Sequence, residues 1–183
     1  MLILNFEPFP TITTGRIILR RLVDDDAPEI FILRSDERIL EFIDIAKANN
    51  IDDALAFIHK INSVIDNSES MYWGIASKEN DKLIGTICLW NIIKEHYRAE
   101  VGFVLRPDQQ GKGFMQEALA AVVNYAFSEM KLHSLEGRVN PANTASIKLM
   151  ERNKFAREAY FKEDYYCNGG FVDTAVYSLI SSA

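Results

Sequence analysis

The amino-acid sequence predicts an α/β (α+β) fold in which helices flank a central, mostly antiparallel mixed sheet. Three observations support this prediction. Short runs of β-branched and aromatic residues recur between polar turns. Other segments repeat apolar residues at helical spacing. Several neighbouring strand segments are joined by only a few residues, which favours antiparallel pairing. A chain of 183 residues can bury a core of its own, so we expect one domain over residues 1–183.

The N-terminal third of the chain predicts one strand followed by helices. An apolar run rich in β-branched residues predicts a strand at residues 16–22. The acidic run ending at Asp26 precedes Pro28, a combination typical of a helix start, so a helix is predicted from there to about Arg34. Two more helices are predicted at residues 37–42 and 52–65, and the second carries an apolar stripe at helical spacing.

The rest of the chain predicts a meander of three strands and then alternating helices and strands. The polar sequence Glu79-Asn80-Asp81 separates the first two strands of the meander. A long amphipathic helix is predicted from Met115 to about Met130. The meander strands are residues 71–77, 82–91 and 98–105; after the long helix come a strand at 134–140, a helix from Ala142 or Asn143 to Asn153, a strand at 155–159, a turn at Asn168-Gly169-Gly170 and a last strand at 171–180.

The composition argues against several classes of function. A net charge of −6 disfavours a nucleic-acid binder, which usually carries a basic patch. No apolar run reaches the roughly eighteen residues of a membrane span, and the first residues lack the basic segment of a secretory signal. The two cysteines, Cys88 and Cys167, have no metal-ligand spacing, and none of the three histidines shares a ligand cluster. We therefore expect a reduced, cytoplasmic protein without a bound metal.

The loop before the long helix carries the strongest functional signal. Gln110-Gly111-Lys112-Gly113-Phe114-Met115 places backbone N–H groups at the positive end of a helix, in a loop with few side chains. Such a loop is suited to a phosphate or pyrophosphate. Its spacing matches neither GxxxxGK[ST] nor GxGxxG. Taken alone, the loop is also consistent with a strand-to-helix connection that binds no ligand.

Two further features support a ligand site. Asn143 can cap the start of the next helix, and Ser146, about one turn further on, could face the same cleft. Glu100 lies on the strand that leads into the glycine loop and shares a face with Gly102 and Val104, so a half-buried carboxylate is plausible there. A plain helix cap at Asn143 and an exposed edge glutamate at position 100 are the alternatives.

Together these motifs resemble the GNAT superfamily of N-acetyltransferases, and most closely its RimJ/RimL-like branch, which acetylates ribosomal-protein N-termini. The resemblance rests on residues 99–103, 110–115 and 143–146, with Leu149, Glu151 and Phe155. Residues 14–20 and 169–179 also resemble that branch, so the likeness spans nearly the whole chain. It implies a GNAT-like fold, acetyl-CoA as cosubstrate and no metal requirement.

The resemblance also implies which residues hold acetyl-CoA. They are Phe103, Val104, Leu105, Gln110, Gly111, Lys112, Gly113, Phe114, Met115, Asn143 and Ser146. Two positions depart from the family pattern. Met115 stands where the family's loop, Q/R-x-x-G-x-G/A, has Gly or Ala, and Lys154 stands where Gly commonly precedes Phe155. Lysine enters a left-handed turn only at some cost, so this turn could differ in geometry.

The implied reaction is direct transfer of acetyl from acetyl-CoA to a primary amine. The amine must lose a proton before it attacks, and Glu100 is the candidate general base, directly or through a water. Ser146 is the candidate acid for the departing CoA thiolate, with Tyr166 as the alternative. A backbone N–H of residues 103–105 is expected to stabilise charge on the thioester oxygen.

The resemblance to the RimJ/RimL-like branch implies a protein N-terminal α-amine as the acceptor. The pKa of such an amine, about 8, also demands less of a base than a lysine near 10.4. The aromatic segment from Tyr165 to Phe171 could line a groove for an extended chain. The alternatives are a small-molecule amine, such as a polyamine, an amino acid or an antibiotic, and a non-catalytic acyl-CoA sensor. The net charge of −6 suits a polycation and a basic ribosomal protein equally. We expect a monomer or homodimer with no nucleic-acid or membrane partner.

Overall fold

The fold is built on one eight-stranded sheet, seen in a computed structural model that describes residues 2–167 and 169–182. The strand order is β1-β2-β3-β4-β5-β6-β8-β7. Neighbouring strands pair antiparallel except β5 and β6, which are parallel. The strands are β1 (Ile12–Thr13), β2 (Ile17–Arg20), β3 (Met71–Ser77), β4 (Leu83–Ile93), β5 (Arg98–Leu105), β6 (Ser134–Val139), β7 (Ala156–Cys167) and β8 (Gly170–Ile180). The predicted mixed, mostly antiparallel sheet is confirmed.

The helices begin where the sequence places caps and prolines. Pro28 lies in the first turn of α1, and the Asn50 side chain caps α3 by accepting a hydrogen bond from the Asp53 N–H. The helices are α1 (Ala27–Ser35), α2 (Glu37–Leu40), α3 (Ile51–Asp66), α4 (Phe114–Ser128) and α5 (Thr144–Arg152). Among the described residues, no helix is long and apolar enough to cross a membrane.

Some predicted element bounds are wrong. The first predicted strand, at residues 16–22, is shorter in the structure (Ile17–Arg20), and the two-residue strand Ile12–Thr13 precedes it. The strand predicted at residues 155–159 continues to Cys167. Most of its residues are exposed and polar and its pairing with β8 is interrupted by two register shifts, so it lacks a regular alternation. In the predicted turn at residues 168–170, Asn168 lies outside the described residues, and Gly169 has a φ of +85°.

The sheet buries a different core on each face. Ala99, Val101 and Leu105 of β5 are buried in the core that contains the apolar side of α4 and Met150 of α5. Val104 packs on the opposite face, against the smaller core of α1 and α3. Alternation along the strand therefore places Glu100 and Gly102 on the α1–α3 side with Val104. We call this side the Glu100 face.

The parallel strands β5 and β6 separate partway along their length. They pair only at Arg98 with Ser134, Ala99 with Leu135 and Glu100 with Glu136. β5 then continues to Leu105 and β6 to Val139. We call the gap between residues 101–105 and 137–139 the β5–β6 opening. Backbone N–H and C=O groups of a strand point alternately to its two sides, so residues 101–105 present some of theirs to this opening.

Candidate active site

Glu100 lies at the point where the β5–β6 opening begins. It is half-buried and is the register partner of Trp90 in β4 and of Glu136 in β6. Burial raises the pKa of Glu100 from its ordinary value of 4.5 to about 6, and the negative charge of Glu136 adds to this rise. The positive charge of Arg138 and a hydrogen bond from Asn91 oppose it. A carboxyl group with this pKa is ionised at neutral pH, and it is a better proton acceptor than an ordinary glutamate.

A bulge in β4 brings Asn91 to Glu100. The β4–β5 register shifts between Trp90 and Ile93, and Asn91 has a φ of +47°. Asparagine adopts this left-handed conformation more readily than most residues. Bulges often redirect a side chain next to an active site. Asn91 was not predicted as a site residue, because an Asn within an apolar strand gives no signal of a bulge by itself.

Two arginines contact the Glu136 carboxylate. Arg98 donates a hydrogen bond to the Glu136 carboxylate, and an Arg138 guanidinium nitrogen lies 3.9 Å from Glu136 Oε1. Arg138 also donates a hydrogen bond of 3.1 Å to Asp164. In the described part of the chain, no ion pair within 4.0 Å involves Glu100. Its carboxylate is thus left able to take a proton. Glu136 and Arg138 were also missed, although their alternate spacing on a strand puts them on one face.

The glycine loop is fixed to both neighbouring elements. The Gln110 side-chain amide donates a hydrogen bond of 3.3 Å to the Leu105 carbonyl. Arg16 donates through Nη1 to the Lys112 carbonyl at 2.8 Å and through Nε to Glu117 at 2.8 Å. The loop is therefore held against β2, the end of β5 and the first turn of α4.

The loop needs its glycines for backbone conformation. Gly111 has a φ of +73°, and Gly113, at the N-cap of α4, has a φ of +82°. A Cβ added at Gly111 would meet no atom within 4 Å, so this side of the loop is open. The first N–H groups of α4 have no intrahelical acceptor. The geometry suits an incoming pyrophosphate.

The last two residues of the loop sequence, Phe114 and Met115, pack against other parts of the protein. Phe114 is half-buried, with the Arg16 guanidinium 4.7 Å from its ring centroid. Met115 is only 7% exposed and belongs to the main core. The large residue at position 115, where the family loop has Gly or Ala, therefore does not fill the open side of the loop.

Helix α5 begins and ends with regular caps. The Asn143 side chain accepts a hydrogen bond of 3.0 Å from the Ser146 N–H, as the sequence predicts, and Ser146 is half-buried in the first turn. At the other end Lys154 has a φ of +66°. Its N–H bonds to Glu151 and that of Phe155 to Met150, the two bonds of a Schellman motif. The turn keeps its left-handed geometry despite the lysine.

Tyr166 lies at the exposed end of the β7–β8 hairpin. Its register partner is Phe171 of β8. Phe171 precedes Ala175 by four residues, and Ala175 pairs with Val139, the last residue of β6, so Tyr166 lies past the end of β6. Tyr166 is 59% exposed and packs edge-to-face on Phe171 at 5.2 Å. Its neighbour Tyr165 donates a hydrogen bond of 2.8 Å to Asp44, in the segment between α2 and α3. The hairpin thus contacts that segment.

Across residues 2–167 and 169–182, no group of three or more His, Cys, Asp or Glu side chains could hold a metal ion.

Comparison with known proteins decides the family. The sequence matches the acetyltransferase (GNAT) domain over residues 16–156. This chain belongs to the GNAT family. It is an acetyl-CoA-dependent N-acetyltransferase, and its fold is the GNAT fold. An uncharacterized N-acetyltransferase of Bacillus subtilis (strain 168), YoaA, is 31% identical over 172 residues, which cover 94% of this chain and 97% of YoaA. A GNAT-family acetyltransferase structure from Bacillus anthracis has a TM-score of 0.83 at 26% identity and covers 93% of this chain and 98% of that one.

GNAT relatives of this chain include two enzymes whose names state different kinds of acceptor. The [ribosomal protein uS5]-alanine N-acetyltransferase of Escherichia coli (strain K12) is 27% identical over 120 residues, or 65% of this chain and 62% of that protein. The spermidine N(1)-acetyltransferase of Vibrio cholerae is 25% identical over 159 residues, or 87% of this chain and 90% of that protein. The first relative acts on a protein and the second on a polyamine.

Proposed function

We propose that this acetyltransferase acts on the N-terminal α-amine of a protein or peptide, with Glu100 as the general base. The observation that carries the proposal is the position of Glu100. It is the last β5 residue paired with β6, at the start of an opening lined by free strand backbone, and its pKa is raised to about 6. A base at this point lies close to residues 103–105, whose backbone we propose to bind the thioester.

Acetyl-CoA is proposed to lie across the β5–β6 opening. The loop N–H groups from Gly111 to Met115 would hold its pyrophosphate at the start of α4. The backbone of residues 103–105 would bind the pantetheine arm and donate one N–H to the thioester oxygen as charge develops. Asn143 and Ser146, at the start of α5, would form another wall. Open backbone in the strand and loop supports this arrangement.

In the proposed reaction, Glu100 accepts a proton from the acceptor ammonium, directly or through a water. The freed amine nitrogen then attacks the thioester carbon. A C–N bond forms and the C–S bond breaks, the nitrogen loses its second proton, and that proton ends on the CoA thiolate, so that CoA leaves as a free thiol. The Ser146 hydroxyl is proposed to donate to that thiolate, with Tyr166 as the alternative. Of the two, the half-buried Ser146 at the helix start is favoured over the largely exposed Tyr166.

An α-amine suits a single half-buried carboxylate as base. With a pKa of about 8, an α-amine is about one-tenth unprotonated at pH 7, whereas the unprotonated fraction of a lysine near 10.4 is about two hundred times smaller. The similarity to the uS5-alanine acetyltransferase is in keeping with this acceptor. The second candidate is a polyamine, favoured by the similarity to the spermidine acetyltransferase and by the net charge of −6.

A competition assay tests the acceptor. Peptides that each carry an internal lysine are supplied with free or blocked N-termini, together with spermidine. Thiol release gives the rate, and mass spectrometry of the products locates the acetyl group. We expect acetylation at the free N-terminus. Acetylation of the lysine alone, or of spermidine in preference to every peptide, contradicts the proposed acceptor.

A further inference from the structure

A pocket on the Glu100 face contains the guanidinium of Arg34, for which the described part of the chain supplies no acidic partner. The pocket lies between α1, α3 and strands β3, β4 and β5. Its polar side chains are Arg34, Tyr72 and Thr86, and its apolar wall includes Phe57 and Val104. The proposed chemistry at Glu100 makes no use of these polar groups.

Arg34 differs from the other half-buried arginines of the chain. Its guanidinium lies 4.1 Å from the Phe57 ring centroid and donates a hydrogen bond of 3.1 Å to the Ala46 carbonyl. Burial lowers the pKa of Arg34, with Tyr72 opposing the shift, and no carboxylate of residues 2–167 and 169–182 forms an ion pair with it within 4.0 Å. The remaining half-buried arginines are Arg20, Arg21, Arg98 and Arg106, and each forms an ion pair with an aspartate or glutamate. A partly desolvated guanidinium without a counter-ion favours an anionic ligand.

A hydroxyl in the same pocket is also placed to donate. The Tyr72 hydroxyl donates a hydrogen bond of 3.0 Å to Thr86 Oγ1. Burial raises the pKa of Tyr72, so it remains a donor at neutral pH. Because Thr86 is the acceptor in that bond, its own hydroxyl proton is available for another partner. The pocket therefore presents a charged and a neutral donor, a combination that matches a carboxylate.

The position of the pocket relates it to the proposed acceptor amine. Thr86 is the register partner of Val104, and Val104 lies four residues beyond Glu100 on the same strand face. That separation is about 13 Å along the strand. An extended peptide covers about 3.3–3.6 Å per residue. If a bound peptide places its amine near Glu100 and a carboxylate near Arg34, the two groups therefore come from different residues of that peptide.

We infer that this pocket binds the side-chain carboxylate of an acidic residue at position two, three or four of the acceptor peptide. The inference rests on the proposed N-terminal acceptor and adds a sequence preference to it. A polyamine would bring a cation to Arg34 instead, which is an unfavourable arrangement.

The first test needs only the unmodified protein. Peptides with a free N-terminus and an amidated C-terminus carry Glu, Gln or Lys at one of positions two to four, and kcat/KM is measured for each. Since a hydrogen bond between charged groups contributes more than a neutral one, we expect roughly tenfold higher kcat/KM for Glu than for Gln at one position, and the lowest value for Lys. Equal values for Glu and Gln at all three positions overturn the inference.

The second test assigns the preference to Arg34. Arg34→Gln should lower kcat/KM for the preferred Glu peptide about tenfold and leave its Gln counterpart unchanged, whereas Arg34→Lys should retain part of the preference. Arg38→Gln, at an exposed arginine of α2 paired with Asp36, is the matched control. The unfolding temperature and CoA affinity of each variant are measured alongside. An equal loss for Glu and Gln peptides would show that Arg34 only supports the fold through Phe57.

These outcomes separate the inference from the proposed function. Peptide acetylation at the N-terminus without an acidic preference overturns the inference alone. Acetylation of spermidine and of no peptide overturns both.

Discussion

Glu100 of β5 and Glu136 of β6 are direct register partners, and theirs is the last pair before the two parallel strands separate. Two carboxylates are therefore neighbours at the start of the opening. The arginines Arg98 and Arg138 lie around Glu136, so the pair is unequal. The pKa of Glu100 is raised by burial and by its partner's charge. Glu136 therefore balances the charge of the two arginines, and Glu100 is left able to exchange a proton.

The partnership predicts that Glu136 sets part of the pKa of Glu100. Glu136→Gln removes a negative charge that disfavours ionised Glu100, and it leaves Arg98 and Arg138 as uncompensated cations. The acid limb of the pH profile of kcat/KM, expected near pH 6 in the unmodified protein, should move to lower pH. Glu158→Gln, on the exposed side of β7, is the control and should leave the limb in place. A limb unmoved in Glu136→Gln contradicts the electrostatic link.

The conformation of the glycine loop predicts a selective effect on CoA binding. Gly111→Ala and Gly169→Ala each introduce a Cβ at a positive φ with open space around it, so they share a similar strain. Only Gly111 lies in the proposed pyrophosphate loop. By calorimetry, Gly111→Ala should weaken CoA binding about tenfold, or roughly 1.4 kcal/mol, with Gly169→Ala unchanged. Equal affinities in the two variants would remove the loop from the binding site.

Substitutions distinguish Ser146 from Tyr166 as the donor to the CoA thiolate. Ser146→Ala keeps the backbone N–H that Asn143 caps, so helix α5 should stay intact. We expect kcat to fall by about 10², the lower end for loss of a general acid, because a thiolate is already a good leaving group. The KM for acetyl-CoA should change little. Tyr166→Phe should keep full activity, given its exposure. A large loss in Tyr166→Phe with none in Ser146→Ala would reverse the assignment.

The left-handed lysine after α5 predicts a stabilising substitution. Lys154 holds a φ of +66° in the Schellman turn, a position where glycine avoids the Cβ penalty. Lys154→Gly should raise the free energy of unfolding by about 0.5–1 kcal/mol, because relief of strain exceeds the added chain entropy. Lys154→Ala keeps the Cβ and should bring no such gain. Chemical denaturation measures both, and a stability loss in Lys154→Gly contradicts the strain argument.

Local sequence signals predicted much of the fold. Strands Met71–Ser77 and Arg98–Leu105 have the bounds that the sequence predicts, because their β-branched and aromatic runs end in polar turns. The cap at Asn143 and the glycine turn before α4 were also foreseen, since both depend on neighbouring residues.

Features that depend on distant contacts were not predictable from the sequence. The neighbours of Glu100 depend on the pairing of β5 with β6, more than thirty residues apart, and on a bulge in β4. The missing counter-ion of Arg34 becomes visible only when α1 is packed on the sheet. The continuation of β7 beyond residue 159 depends on its pairing with β8, and the polar sequence of β7 gives no sign of it.

The most direct measurement of the central claim is the pH dependence of kcat/KM in the unmodified protein and in Glu100→Gln, with a peptide α-amine as acceptor. The unmodified protein should show an acid limb near pH 6. The variant should lack that limb and lose about 10²–10⁴ in rate at neutral pH. Its deficit should shrink as the pH rises and the amine loses its proton unaided.

The stability of Glu100→Gln serves as the internal control for this measurement. Since the folded pKa is raised above 4.5, ionised Glu100 opposes folding above pH 6, and the cost disappears as the pH falls through 6 towards 4.5. The variant should therefore unfold at a higher temperature at pH 8 and show no such gain below pH 4.5. A more stable variant with the predicted kinetic loss supports Glu100 as the base. Full activity across the pH range in a folded Glu100→Gln variant would contradict it.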